Sequence, residues 1–156
     1  MPLDLNIRKY RNNDIHIILN LNKVAMQKLG VYKESDEFDM DLKDIHKNYC
    51  RNGGIFLVGT INEIIVSMGA FRKIDNNIAE IKRMGTYPEY QSRGYGEKVL
   101  IELIRIAKQY KYKELILETS EKQISARKLY TKLGFIDYKD ENINGFKCTW
   151  YKLLIA

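Results

Sequence analysis

The stretch Gln91-Ser92-Arg93-Gly94-Tyr95-Gly96 constrains the fold of this chain more than any other. It follows a strand-like run, Ala79 to Met84, and opens a helix-like run, Glu97 to Tyr110. Two glycines one residue apart at a strand-to-helix turn let the backbone approach a ligand and aim several N–H groups at one point. The helix behind them adds unpaired N–H groups and the positive end of its dipole, which favours phosphate. The turn therefore predicts a diphosphate cradle. Glycines also gather in turns for conformational reasons alone, so the surroundings must decide.

At 156 residues the chain is long enough for one domain with a buried core, and its 45% hydrophobic and 29% charged fractions are those of a globular protein. No apolar run approaches the ~20 residues of a membrane span, and Met1-Pro2-Leu3-Asp4 has no signal-peptide pattern, so a cytoplasmic protein with no membrane contact is expected. Cys50 and Cys148 are far apart and lack metal-ligand spacing, which predicts two free thiols and no metal. The net charge of +6 is unevenly placed: residues 1–81 hold 11 basic and 11 acidic side chains, residues 82–156 hold 15 and 9. A basic half suits an anionic ligand or an ordinary solvated surface. Nucleic acid is not expected, since no arginine-rich tail, RNA-binding aromatic motif or zinc spacing is present.

The periodicities predict β-α-α-β-β-β-α-β-α-β-β. A strand over Asp4 to Tyr10 precedes a helix capped by Asn13 or Asp14, with Ile18, Leu21 and Ala25 on one face and Gly30 closing it. A short helix should bury Leu42, Ile45 and Tyr49. Three β-branched strands follow, turning at Ile61 to Glu63 and at Asn76-Asn77. Val99, Leu100, Leu103, Ile104 and Ala107 form a helical stripe. Glu114 to Thr119 reads as a strand, Gln123 to Leu133 as a helix, and Phe135 to Ile155 as a hairpin turning at Asn144-Gly145. The fold class is α/β (α+β): a mixed, mostly antiparallel sheet of about seven strands with four helices on both faces.

Three blocks in order give this pattern a family likeness. They are Glu80 to Tyr90, ending in Pro88-Glu89-Tyr90; Gln91-x-x-Gly94-x-Gly96; and Ala126-x-x-Leu129-Tyr130-x-Lys132-Leu133-Gly134-Phe135. Together they resemble the GNAT superfamily of acetyl-CoA-dependent N-acetyltransferases. The resemblance implies one domain over 1–156, with an acceptor-side half of about 1–77 and an acetyl-CoA-binding half of about 78–156. It implies that the backbone of Gln91, Ser92, Arg93, Gly94, Tyr95 and Gly96 cradles the CoA pyrophosphate, with Glu97 beginning the helix. Met84, Gly85 and Thr86 would run along the pantetheine arm. Gly85 departs from the bulky residue usual there and marks either a bulge or extra room for the acyl group. Gln123 keeps an amide where many relatives carry Asn.

Tyr130 matches the family's general acid, a phenol of pKa ~10 that can protonate a departing thiolate. The other reading is a core tyrosine on an apolar helix face. Glu80 lies eleven residues before Gln91, the spacing of the glutamate base in the histone-acetylating branch. Alternation places it on a face with Lys82 and Met84, either as that base or as an ion-pair partner of Lys82 or Arg72. His16 and His46 fall on helix surfaces away from the cleft. The implied activity is acetyl transfer to a primary amine by direct attack in a ternary complex, since no nucleophile is well placed for an acyl-enzyme. A non-catalytic acetyl-CoA-binding module is the alternative. The final strand, Phe146 to Ile155, is the edge through which a homodimer would pair.

Residues Glu34 to Asp44 carry six carboxylates (Glu34, Asp36, Glu37, Asp39, Asp41, Asp44) against Lys43, and with Tyr32 and Phe38 suit the entrance for a cationic acceptor. On this reading, neutralising Asp36, Glu37 and Asp39 together raises the KM for cationic amines in steady-state assays. An unchanged KM for every amine rejects it.

Overall fold

The computed structural model describes residues 4–32 and 39–156. In chain order the elements are β1 (Asn6–Lys9), α1 (Ile15–Leu29), β2 (Ile55–Ile61), β3 (Ile64–Lys73), β4 (Ile78–Thr86), α2 (Tyr95–Gln109), β5 (Glu114–Ser120), α3 (Ile124–Lys132), β6 (Ile136–Ile143) and β7 (Phe146–Leu154). One seven-stranded sheet has the order β1-β2-β3-β4-β5-β7-β6, and only β4 and β5 pair in parallel. The expected fold class is therefore the observed one.

Local chemistry sets the joints. Asn62 and Glu63, and again Asn144 and Gly145, take the left-handed conformation at both turn positions, which suits two tight antiparallel hairpins. Asp14 starts α1, but its carboxylate accepts from the Arg11 N–H at 2.7 Å and from the Arg8 guanidinium, so it ties the helix to β1. The expected short helix before β2 is a 3₁₀ turn (Met40–Asp44) followed by a π turn (His46–Cys50), with Leu42, Ile45 and Tyr49 buried as anticipated. The Asn48 side-chain amide donates to the carbonyls of Asp41 and Asp44 at 3.1 and 2.9 Å, competing for acceptors of a regular helical ladder.

Two cores sandwich the sheet. On one face Val99, Leu100, Leu103 and Ala107 of α2 pack on Leu57, Phe71, Ile81, Leu115 and Leu117. On the other, Ile18, Leu21 and Ala25 of α1 join Leu42, Ile45 and Tyr49 over Phe56, Val58, Met68 and Ala70. The second layer covers only part of its face. Glu118 of β5, Trp150 of β7 and all of β6 are partly or wholly exposed.

Three expectations about the strands are corrected. β7 is interior, paired with β5 on one side and β6 on the other, so it cannot be a shared edge; the edges are β6 at this end of the sheet and β1 at the other. The pairing of β3 with β4 slips between Met68 and Ala70, where Arg83 and Met84 oppose Gly69. This bulge, with Arg83 at φ 57, reverses the alternation beyond it. Met84 consequently turns away from the Glu80 and Lys82 face and packs with the α2 core. Finally, Gly85 lies just beyond the bulge, and a Cβ there would meet Leu21 Cδ2 of α1 at 3.0 Å. Its missing side chain makes room for the helix, not for an acyl group. Gly85→Ala should therefore lower stability by about 1–3 kcal/mol through overpacking, measured by urea unfolding.

Candidate active site

β4 and β5 hold together for three residue pairs only, Ile78↔Glu114 to Glu80↔Ile116, and then part. β4 continues along β3, while β5 continues along β7. The wedge between them is open, and a cavity lies on each side of it.

The first cavity, of about 400 Å³, runs over the glycine turn. Gln91, Ser92, Gly94, Tyr95, Gly96 and Glu97 form one wall and Met84, Gly85 and Thr86 another. Ser92 and Gly94 are both left-handed, at φ 64 and 82, and Gly94 caps α2. A Cβ on Gly94 would have nothing within 4 Å, so the backbone there borders open space. The first closed bond of the helix runs from the Lys98 N–H to the Gly94 carbonyl at 3.1 Å, which leaves the N–H groups of the first turn free for a ligand. Tyr95 itself is buried against Ile61 and Val66, so it offers the groove its backbone.

Side chains pin this turn. Gln91 Nε2 donates to the Thr86 carbonyl at 3.1 Å, and Gln91 Oε1 accepts from Lys28 Nζ of α1 at 3.1 Å. Arg93 donates to the Glu89 carbonyl and stacks over the Tyr90 ring. Glu97 pairs with Lys132 of α3 at 2.9 Å, bridging the two helices that flank the groove. Ser67 Oγ holds the end of β4 by donating to the Gly85 carbonyl at 3.0 Å. Gln123 Oε1 accepts the Ser120 N–H at 2.9 Å and the Thr119 hydroxyl at 3.1 Å, fixing the corner from β5 into α3.

The second cavity, of about 580 Å³, lies beneath the 40–50 segment and the β6–β7 turn. Met26, Met84, Gln123 and Tyr130 line both cavities, so Tyr130 stands at the junction. It is 5% exposed, its ring tilted against Phe135 and Tyr151. Burial first, and then the Glu118 charge, push its phenol well above the usual 10.0, so it holds its proton at neutral pH.

Glu80 is 3% exposed and lines this cavity. The structure pairs it with Arg72, whose Nε and Nη2 both donate to Oε1, at 3.0 and 2.8 Å, and Arg72 does not engage its second oxygen. The acidic segment is less free than its sequence suggests. Glu34, Asp36, Glu37 and Phe38 lie outside the described residues. Asp39 accepts from Asn22 Nδ2 at 2.9 Å and from the Tyr32 hydroxyl, and Asp44 accepts from the Lys47 N–H. Asp41 is bound by the Arg83 guanidinium and the Tyr49 hydroxyl. Burial alone would raise the Asp41 carboxyl, but those bonds outweigh it and hold it below the usual 3.8. Cys148 also lines the cavity; burial and then Glu118 push its thiol to about 11, so it stays protonated at neutral pH. His16 and His46 are exposed and line neither cavity.

Sequence reasoning missed Arg83, Glu118 and Ser120. Arg83 had no signal, since its direction follows from the bulge. Glu118 carries a weak one, a carboxylate following the apolar run Leu115–Leu117.

A family model described as the acetyltransferase (GNAT) family matches residues 17–135. The chain belongs to the GNAT family. Among curated relatives, human N-acetyltransferase 8 is 28% identical over 120 residues, covering 73% of this chain and 51% of that protein. The chain thus spans about half the length of that relative. Spermine/spermidine N(1)-acetyltransferase of Bacillus subtilis is 27% identical over 150 residues, covering 93% and 96%. Two solved structures share the fold. A GNAT-family acetyltransferase from Staphylococcus aureus Mu50 superposes with a TM-score of 0.87 at 23% identity, covering 98% of this chain and 100% of that one. The yncA structure from Salmonella typhimurium, determined with its cofactor acetyl-CoA, gives 0.77 at 17%, covering 97% and 94%.

The Arg83–Asp41 pair locks the 40–50 segment onto β4. Arg83→Met strands the carboxylate and should cost about 3 kcal/mol, near the low end for a buried pair because Asp41 keeps 26% of its side chain exposed. Asp41 has a depressed folded pKa, so its contribution is full above its unfolded value near 3.8 and is lost as pH falls through the folded value. Denaturant midpoints measured between pH 6 and 2 should fall less steeply in Arg83→Met than in wild type.

Proposed function

We propose that this chain transfers an acetyl group from acetyl-CoA to a primary amine by direct attack in a ternary complex. The observation that carries the reading is the position of Tyr130, a protonated phenol where a phosphate-shaped groove meets a carboxylate-lined cavity. The groove suits the donor: Gly94 borders open space, and free N–H groups of the first turn of α2 face an anion. Gln91 to Glu97 would hold the diphosphate, and the backbone of Met84, Gly85 and Thr86, with the Gln123 amide, the pantetheine arm. When bound, acetyl-CoA supplies an activated thioester. N–H donors near the thioester carbonyl would stabilise the charge that grows on its oxygen.

In this mechanism Tyr130 delivers its proton to the departing sulfur. Glu80, with both Arg72 bonds on Oε1, takes the amine proton through a water at its other oxygen. The protonated Cys148 thiol speaks against a covalent acyl-enzyme. The similarity to a Bacillus subtilis spermine/spermidine acetyltransferase makes polyamines the first acceptors to try.

The test is thiol release from acetyl-CoA with spermidine, an aminoglycoside and an N-terminal peptide. Wild type should turn over at least one of them. Tyr130→Phe should lower kcat by about 100-fold or more, with acetyl-CoA affinity retained in calorimetric titration. Acetyl-CoA binding without thiol release for any amine would favour the binding-module alternative.

A further inference from the structure

Among the described residues, one carboxylate of the second cavity has no cation paired with it. Asp41 is taken by Arg83 and Tyr49, and Glu80 by Arg72. Glu118 projects from the same face of the sheet as Glu80, since Glu80 pairs with Ile116 and Glu118 lies two residues further along β5. Among the described residues no lysine or arginine forms an ion pair with it, Lys82 on the same cavity wall included. The Cys148 thiol on the same cavity wall feels its charge, while that thiol donates to the Phe146 carbonyl at 3.6 Å. The Glu118 charge also reaches Tyr130, so the carboxylate sits within electrostatic range of the reaction centre.

Ser120 is the second observation. It follows Glu118 on the same face, opposite Cys148 of β7, and lines the same cavity. Its backbone is fully engaged: the N–H donates to Gln123 Oε1, and the carbonyl accepts from the Gln123 N–H at 3.1 Å. Its hydroxyl is not. Ser120 is 6% exposed, and its Oγ is buried with no hydrogen-bond partner. An unpartnered buried hydroxyl is unfavourable unless a ligand completes it, and a carboxylate with no cation of its own stands ready to accept from the same ligand.

The ligand that completes both is set by donor count. An ionised carboxylate only accepts, and the serine oxygen can accept as well. A primary ammonium brings a positive charge and three N–H donors in tetrahedral array, enough for both groups with one left over. A neutral alcohol brings one donor and no charge, and an anion is repelled. We propose that Glu118 and Ser120 form the seat that binds the ammonium group of the acceptor. The proposal rests on the acetyl-transfer reading of the same cavity and adds the recognition element to it. In this arrangement Glu118 keeps its negative charge and binds, while removal of the proton falls to Glu80.

The division of labour gives a split in the kinetics. With spermidine as acceptor, Glu118→Gln should raise the amine KM by about 10- to 100-fold, the range for losing a hydrogen bond to a charged group. The acetyl-CoA KM should stay unchanged and kcat at saturating amine nearly so. Ser120→Ala should shift the amine KM in the same direction by less, and Glu118→Asp should recover part of the loss. Calorimetric titration of spermidine into CoA-saturated protein gives a second readout that needs no turnover, with weaker binding expected in Glu118→Gln and in Ser120→Ala. An unchanged amine KM overturns the seat, as does a fall in kcat at constant KM, which would make Glu118 the proton acceptor. If wild type acetylates no amine, the acetyl-transfer reading fails, and the titration decides the seat alone: equal spermidine affinity in wild type and both variants overturns it.

Discussion

The short parallel contact between β4 and β5 is the constraint on which the rest of the site depends. Three residue pairs are enough to fix the two strands in one sheet, and too few to keep them together to their ends. Each strand then satisfies its backbone on its outer neighbour, β4 on β3 and β5 on β7. An opening in the middle of a sheet would normally expose unpaired backbone groups at a cost. Here it is flanked by two well-packed cores, so the loss is confined to the few residues that border a ligand. The helix N-terminus and the glycine turn lie at the mouth of that opening because α2 must start where β4 ends.

Charge is distributed around the opening with a clear division. Arg83 and Arg72 each neutralise a carboxylate that the fold itself positions, Asp41 and Glu80. Those pairs are structural first, because a buried carboxylate without its guanidinium would be strongly destabilising. Glu118 stands outside this scheme, with no ion pair among the described residues and a place on the wall of the second cavity. The Ser120 hydroxyl beside it is the one buried side-chain polar atom left without a hydrogen-bond partner among the described residues.

Much of the fold could be read from the sequence, for identifiable reasons. The α2 stripe, the Asn144-Gly145 hairpin and the glycine turn are local signals, and each fell where its chemistry requires. Tyr130 is buried on α3, with Ala126 and Leu129 packed against the same core, as the apolar spacing of that helix predicts. What failed was parity. A bulge at Arg83 and Met84 adds one residue to β4, and every side-chain direction beyond it reverses. Period-two alternation cannot register an inserted residue, so it places Met84 on the Glu80 face and gives no sign of the inward turn of Arg83. The position of β7 was lost for a related reason: strand order within a sheet is a long-range property, and the last strand in sequence is not the last in space.

Helix α1 touches both cavities through polar bonds at different heights. Lys28, near its C-terminus, holds Gln91 of the glycine turn, while Asn22 accepts from Arg83 and donates to Asp39 beside the second cavity. A single helix thus forms a common wall for the two cavities. A ligand in one that displaced this helix would shift the groups that shape the other, and coupling of that origin would be equal in both directions.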